Sequence, residues 1–290
     1  MNDAAVMQTP ALTPSELARL DARFPVRNVP VRGDTLVSVR ECGSGAAVVC
    51  LHGIGSGSAS WLDTALLLEG AARVIAWDAP GYGESTPVAA AAPSAADYAD
   101  RLHALVDALG LESFVLVGHS LGALTAACAA RPGSPLASRI RGLVLISPAT
   151  GYGAPSRADA SQRVRTQRLD TLAQVGIAGM AAQSAARLLS SGASEQARQW
   201  VRWNMARLNV SGYSQAVELL CGGDLLADLP PAMPVRVACG ALDVVTTPQS
   251  CAEVADQCGV PLELIAGAGH ASYVEQPQAV AALLRDVLAA

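Results

Sequence analysis

Residues 113–124, SFVLVGHSLGAL, constrain this chain more than any other stretch. Four apolar, β-favouring residues, Phe114 to Val117, run into Gly118-His119-Ser120-Leu121-Gly122, and the small, helix-permitting residues 121–130 follow. A buried strand that turns at once into a helix leaves its corner residue little room. Glycines on either side relieve the crowding, and the serine between them is pushed out at the end of a sheet with its Oγ on display. The five residues alone say little, because Gly and Ser are common in loops. A strand before them and a helix after them make the pattern a nucleophile elbow.

The rest of the chain repeats the same rhythm. After a polar lead-in, residues 1–25, with one short helix that Thr13 and Glu16 cap, residues 26–32 and 35–41 form a hairpin around Gly33-Asp34. Residues 46–51, AAVVCL, are continuously apolar, as in a strand covered on both faces. A helix over 58–68, strands over 73–77, 113–117 and 142–146, and helices over 95–109 and 121–130 then alternate at short spacing. This predicts right-handed crossovers and a mostly parallel α/β sheet with helices on both faces. From 150 to 229 no strand is expected. Four helical stretches there, 161–175, 179–189, 194–209 and 211–223, read as a lid inserted into a core made of 26–149 and 230–290. Strands over 235–239 and 262–266 and helices over 248–258 and 275–290 complete the core.

Composition removes several alternatives. With 51% hydrophobic and 16% charged residues the chain is globular, and a net charge of −5 offers no field for nucleic acid. No run reaches the roughly 20 apolar residues of a membrane span, and the first 26 residues lack the pattern of a secretory signal, so the expected location is cytoplasmic, with no membrane partner. Seven cysteines without C-x-x-C spacing read as reduced packing residues, neither disulfides nor metal ligands.

A serine hydroxyl is a poor nucleophile until a base takes its proton, and that base needs an acceptor to hold its tautomer. There are four histidines. His103 lies on a charged helix, where a solvated role is expected; His119 adjoins the serine and should point elsewhere; His52 opens a Gly-rich loop. His270, in Ala266-Gly267-Ala268-Gly269-His270 after the last strand, falls at the same sheet edge as Ser120, the edge where open α/β sheets bind ligands. Asp243, just past the strand over 235–239, supplies the acid, whereas Asp224 and Asp228 read as capping residues and Asp256 as solvent-facing. The order Ser120, Asp243, His270 suits this fold. Two backbone N–H groups, of Ile54 in His52-Gly53-Ile54-Gly55 and of Leu121, are the candidate oxyanion donors. That loop lacks the Lys and Ser/Thr of a phosphate loop.

Taken together, His52-Gly53-Ile54-Gly55, Asp78-Ala79-Pro80-Gly81-Tyr82-Gly83-Glu84-Ser85, Gly118-His119-Ser120-Leu121-Gly122, Gly240-Ala241-Leu242-Asp243 and Gly269-His270 with Glu275-Gln276-Pro277 resemble the α/β-hydrolase fold superfamily, in its order and spacing, from about residue 26 onward. The resemblance implies an eight-stranded, mostly parallel sheet with a helical lid after the sixth strand, and a scaffold role for 78–85. A serine at 120 disfavours haloalkane dehalogenases and common epoxide hydrolases, which carry aspartate there. The chain is similar to bacterial enol-lactonases, carboxylesterases and hydrolases of aromatic meta-cleavage products. The last group has Trp after the catalytic His and Gly-Pro in the oxyanion loop, against Ala271 and HGIGSGS here.

The expected function is therefore hydrolysis of a small ester or lactone by Ser120, Asp243 and His270, with no metal or organic cofactor and a small-molecule substrate as the partner; the sequence does not fix the oligomeric state. The alternatives are carbon–carbon bond hydrolysis, lyase or perhydrolase chemistry on the same triad, and a non-catalytic small-molecule receptor. The lid carries the one concentration of positive charge: Arg163, Arg165, Arg168, Arg187, Arg198, Arg202 and Arg207. Most should form its solvated face, and one pointing inward would hold a substrate carboxylate.

Overall fold

The structure, a computed structural model, describes residues 12–290. The first 11 residues of the lead-in, and with them the expectation about a secretory signal, lie outside that range. The elements in order are α1 (Pro14–Arg23), β1 (Val26–Pro30), β2 (Leu36–Cys42), β3 (Ala46–Leu51), α2 (Leu62–Leu68), β4 (Ala72–Trp77), α3 (Ala95–Ala108), β5 (Phe114–His119), α4 (Leu121–Ala130) and β6 (Ile140–Ile146). Then come α5 (Ala158–Leu188), α6 (Glu195–Ala206), α7 (Val210–Gly222), β7 (Val235–Gly240), α8 (Pro248–Cys258), β8 (Leu262–Ile265), α9 (Ser272–Glu275) and α10 (Pro277–Ala289). Thr13 closes the capping box on α1 with Glu16.

The strands form one eight-stranded sheet in the order β1-β2-β4-β3-β5-β6-β7-β8. The β1/β2 and β2/β4 pairs are antiparallel and the others parallel. Alternation along the strands divides the core. Val49, Leu51, Leu116 and Leu145 pack with Leu105 of α3 and Ala127 of α4 on one face. Val48, Cys50, Val117 and Ile146 pack with Leu68 of α2 and Leu284 of α10 on the other. Both faces being covered explains why these strands are apolar throughout. None of the seven cysteines forms a disulfide, and six are buried. Among the described residues no helix is long and apolar enough to cross a membrane.

Three expectations change in detail. The helical stretches over 161–175 and 179–189 are joined as α5, which breaks at Gly176 with φ 62° and ψ −179°, a backbone conformation essentially confined to glycine. The final helix starts at Pro277 and not at 275, since proline has no N–H to continue α9 and suits a first helical position. Asp228 does not cap a helix but pairs with Arg131 at 3.2 Å.

The elbow glycines are required by proximity. A Cβ on Gly118 would meet Ala123 Cα and Ala126 Cβ at 2.8 Å, and one on Gly122 would stand 2.6 Å from the Leu51 carbonyl oxygen at the end of β3. Gly122→Val is therefore expected to lower stability by on the order of 3 kcal/mol, as overpacking against backbone does. Urea denaturation checks this, and an unchanged midpoint would show that α4 and β3 can part.

Candidate active site

Four loops leave the carboxyl edge of the sheet and converge: those after β3, β5, β7 and β8. Ser120 is the single residue between β5 and α4, at φ 51° and ψ −115°. A non-glycine residue in such a conformation costs about 1–3 kcal/mol, so it persists only where its surroundings hold it. Here the Ser120 N–H donates to the Ile146 carbonyl at 3.1 Å, and the Ser120 carbonyl accepts from the N–H groups of Ala123 at 3.0 Å and Ala149 at 3.1 Å. The hydroxyl is left facing a cavity of about 370 Å³ that His270, Ile54 and Leu121 also line. Among the described residues Ser120 Oγ has no hydrogen-bond partner.

Asp243 and His270 are brought together from β7 and β8. His270 Nδ1 lies 2.9 Å from Asp243 Oδ2, and both side chains are almost wholly buried. The other carboxylate oxygen accepts from the N–H groups of Val245 at 2.7 Å and Thr246 at 3.1 Å. Burial alone would raise the Asp243 pKa. The bond and charge of His270, with the Val245 N–H and Ser147, outweigh it and hold the carboxyl below its usual range. A carboxylate at Nδ1 keeps the proton on that nitrogen and leaves Nε2 as the acceptor. Thr246, which the sequence did not single out, completes the corner: its Oγ1 lies 2.9 Å from Asp243 Oδ2 and 2.9 Å from the Ser147 carbonyl.

The two candidate oxyanion donors face the same cavity. Leu121 is the first residue of α4, where the helix supplies no acceptor for its N–H. The Ile54 N–H has no acceptor among the described residues. Its loop is held by His52, whose Nε2 accepts from the Ala79 N–H at 3.0 Å and whose Nδ1 donates to the Gly53 carbonyl at 2.8 Å. Asp78 fixes the following turn by accepting from the Ser58 N–H at 2.7 Å and Ser58 Oγ at 3.0 Å. Among the described residues no three His, Cys, Asp or Glu side chains are placed to hold a metal.

Three of the remaining residues take positions that the sequence did not specify. His119 packs against His270, ring centroids 4.8 Å apart, and its Nε2–H donates to the His270 carbonyl at 2.9 Å. Glu275 accepts from the N–H groups of Gly269 at 2.9 Å and Ser190 at 3.1 Å and from Ser190 Oγ, while the Ala271 N–H donates to the Leu188 carbonyl at 2.8 Å. The end of α5 is thus fastened to the His270 loop. Arg157, which the sequence reading passed over, lines the cavity beside Arg168 and Arg187. His103, by contrast, sits on α3 at 3.5 Å from Asp107, as a surface group would.

Burial and the neighbouring His270 hold His119 well below the ordinary imidazole pKa, and burial lowers His52 also. The buried His119 Nδ1 has no partner among the described residues, so a proton there would meet no acceptor. Below about pH 6.5 the unfolded chain then binds protons that the folded chain refuses, and stability falls with pH by about 1.4 kcal/mol per unit per histidine. Urea midpoints should drop between pH 7.5 and 5.5, and less steeply in His119→Gln, whose amide can still serve the His270 carbonyl. A flat wild-type profile would contradict the depressed values.

Comparison with known proteins agrees with this fold. A model described as "Alpha/beta hydrolase family" matches residues 48–283. A 2-succinyl-6-hydroxy-2,4-cyclohexadiene-1-carboxylate synthase from Serratia proteamaculans is 32% identical over 225 residues, 74% of this chain and 82% of that protein. A 2-hydroxy-6-oxononadienedioate/2-hydroxy-6-oxononatrienedioate hydrolase from Dechloromonas aromatica is 32% identical over 123 residues, 41% of this chain. That match spans 42% of the relative, less than half its length. Among solved structures, the enol-lactonase from Burkholderia xenovorans LB400 superposes with a TM-score of 0.79 at 22% identity, over 91% of this chain and all of that one, and so has the same fold.

Proposed function

This chain belongs to the alpha/beta hydrolase family, and from that premise we propose that it is a serine hydrolase that cleaves a small ester or lactone through an acyl-enzyme. One observation carries the reading: a strained serine with a free hydroxyl faces the same cavity as a histidine whose Nδ1 is bound to a buried carboxylate.

In this mechanism His270 Nε2 takes the Ser120 proton as Oγ attacks the substrate carbonyl carbon. The carbonyl oxygen gains the electron pair and accepts from the Ile54 and Leu121 N–H groups, which are fixed before the charge develops. As the intermediate collapses, Nε2–H protonates the leaving alkoxide and the acyl group stays on Ser120. Water, deprotonated by His270 Nε2, then attacks the acyl carbon; the bond from that carbon to Ser120 Oγ breaks, Nε2–H returns the proton to Oγ, and the acid product leaves. Asp243 holds the imidazole tautomer throughout and supports its positive charge.

The names of relatives widen the panel of substrates for the test, since several are hydrolases of 2-hydroxy-6-oxo-dienoates and related carboxylates. Purified protein should be given p-nitrophenyl esters, enol-lactones and a 2-hydroxy-6-oxo-dienoate. Turnover of an ester or lactone well above that of the dienoate is expected. Cleavage of the dienoate alone would replace ester chemistry with carbon–carbon bond hydrolysis, and tight binding without turnover of anything would make the protein a receptor.

A further inference from the structure

The catalytic cavity holds an unusual charge arrangement. Three guanidiniums line it, those of Arg157, Arg168 and Arg187, against one carboxylate, Glu253 of α8. Arg157 is engaged locally, its Nη1 donating to Thr150 Oγ1 at 2.7 Å and to the Gly151 carbonyl at 3.0 Å. Arg168 has a single hydrogen-bond partner among the described residues, the Tyr213 hydroxyl at 3.3 Å. Arg187 has none among the described residues. Of the other arginines of the same helical segment, Arg165 is paired with Glu218 at 2.9 Å, Arg202 with Glu195 at 3.4 Å and Arg198 with the Ser191 carbonyl at 2.9 Å, Arg207 stacks on Trp203 at 4.5 Å, and Arg163 is exposed away from the cavity. Of the three that line the cavity, Arg157 is held by its own loop, and Arg168 and Arg187 are left with at most one neutral partner among the described residues.

Their meeting is itself built. On a straight helix, residues 19 positions apart would be about 28 Å from each other. The break in α5 at Gly176 folds the helix so that Arg168 before it and Arg187 after it reach one place. Both line the catalytic cavity and a second, adjoining cavity of about 390 Å³, which share Ile54, Gly55, Tyr152 and Leu188. Like charges held together are unfavourable unless an anion joins them; partial burial, and then the Arg168 charge, lower the pKa of Arg187 in keeping with this.

We propose that Arg168 and Arg187 form a carboxylate subsite at the junction of the two cavities, so that the substrate is an ester or lactone carrying a free carboxylate away from the scissile carbonyl. The proposal rests on the serine-hydrolase reading for the position of the scissile bond. A planar guanidinium can take a carboxylate through two parallel N–H bonds, and a pair of them selects an anion over its neutral ester. Because the subsite adjoins Ile54, binding there orients the acyl group toward the oxyanion donors.

The test compares p-nitrophenyl hydrogen succinate, glutarate and adipate with their methyl-capped counterparts on the full chain, after subtraction of spontaneous hydrolysis. For the best-fitting length the anionic substrate should exceed the capped one in kcat/KM by about tenfold or more, mainly through KM, as expected for hydrogen bonds to a charged group. Arg187→Gln and Arg168→Gln should each bring that ratio toward one, and Arg187→Lys should recover part of it. Arg163→Gln, on the exposed side of α5, should leave the ratio at its wild-type value. A wild-type ratio at or below one, with Ser120 still labelled by a fluorophosphonate, overturns the subsite and leaves the hydrolase reading standing. If labelling fails, that reading falls, and calorimetry with glutarate decides the subsite: binding lost in Arg187→Gln supports it, and no binding to wild type overturns it.

Discussion

Ser120→Ala is expected to reduce kcat for a short-chain p-nitrophenyl ester by roughly 10⁴-fold or more, and to abolish fluorophosphonate labelling. The size follows from position. Ser120 is the sole residue at the corner between β5 and α4, and its hydroxyl faces the cavity with no hydrogen-bond partner among the described residues. Removing one oxygen costs no intramolecular hydrogen bond, so the backbone bonds to Ile146, Ala123 and Ala149 remain and the fold should be unchanged. What is lost is the atom that would form the covalent bond in the proposed mechanism. Residual turnover would come from the oxyanion donors acting on bound ester with water as nucleophile. A variant retaining a tenth of wild-type activity would move the nucleophile elsewhere in the cavity.

Asp243→Asn should lower kcat by roughly 10³ to 10⁴-fold with little effect on folding. The surrounding donors dictate which way the amide turns. The Val245 and Thr246 N–H groups hold one carboxylate oxygen and require an acceptor there, so the asparagine oxygen takes that place. The amide NH₂ then points at His270 Nδ1, where Asp243 Oδ2 stood at 2.9 Å. To accept from the amide, Nδ1 must give up its proton, and the proton moves to Nε2. A histidine with its proton on Nε2 cannot take one from Ser120. Steady-state kinetics with a matched thermal melt measures both halves of this expectation. A loss below tenfold would mean that Thr246 Oγ1, 3.1 Å from His270 Nδ1, can hold the tautomer unaided.

Much of this was legible in the amino-acid order because it depends on local rules. Continuous apolar runs such as AAVVCL mark strands covered on both faces, and β3 occupies those residues, Ala46–Leu51. The sites at strand ends follow from topology: once the strands are parallel, the loops containing Ile54, Ser120, Asp243 and His270 must share an edge. The eight-stranded sheet was implied by resemblance and is present, and the absence of strands between β6 and β7 followed from the helical stretches and the lack of any strand pattern over 150–229.

What stayed hidden depends on contacts between distant residues. Gly176 within residues 161–189 marks a separation between two helical stretches, but nothing local says that their halves fold back to set Arg168 beside Arg187. The bond from Ser190 to Glu275 spans 85 positions. His119 gave no local sign that it would carry the His270 carbonyl, 151 positions away. At this corner the strained Ser120 faces the cavity while His119 packs beneath the His270 loop and carries its carbonyl. Thr246 escaped notice because a threonine three residues past an aspartate is common, and its role follows from the turn that brings its hydroxyl to Asp243 Oδ2.

The most direct test of the central claim is covalent. Protein mixed with excess p-nitrophenyl ester and quenched in acid within the first turnover should gain the mass of one acyl group, located by peptide mapping on Ser120 and absent from Ser120→Ala. Rapid turnover with no acyl adduct at any quench time, or an adduct on another residue, would contradict it.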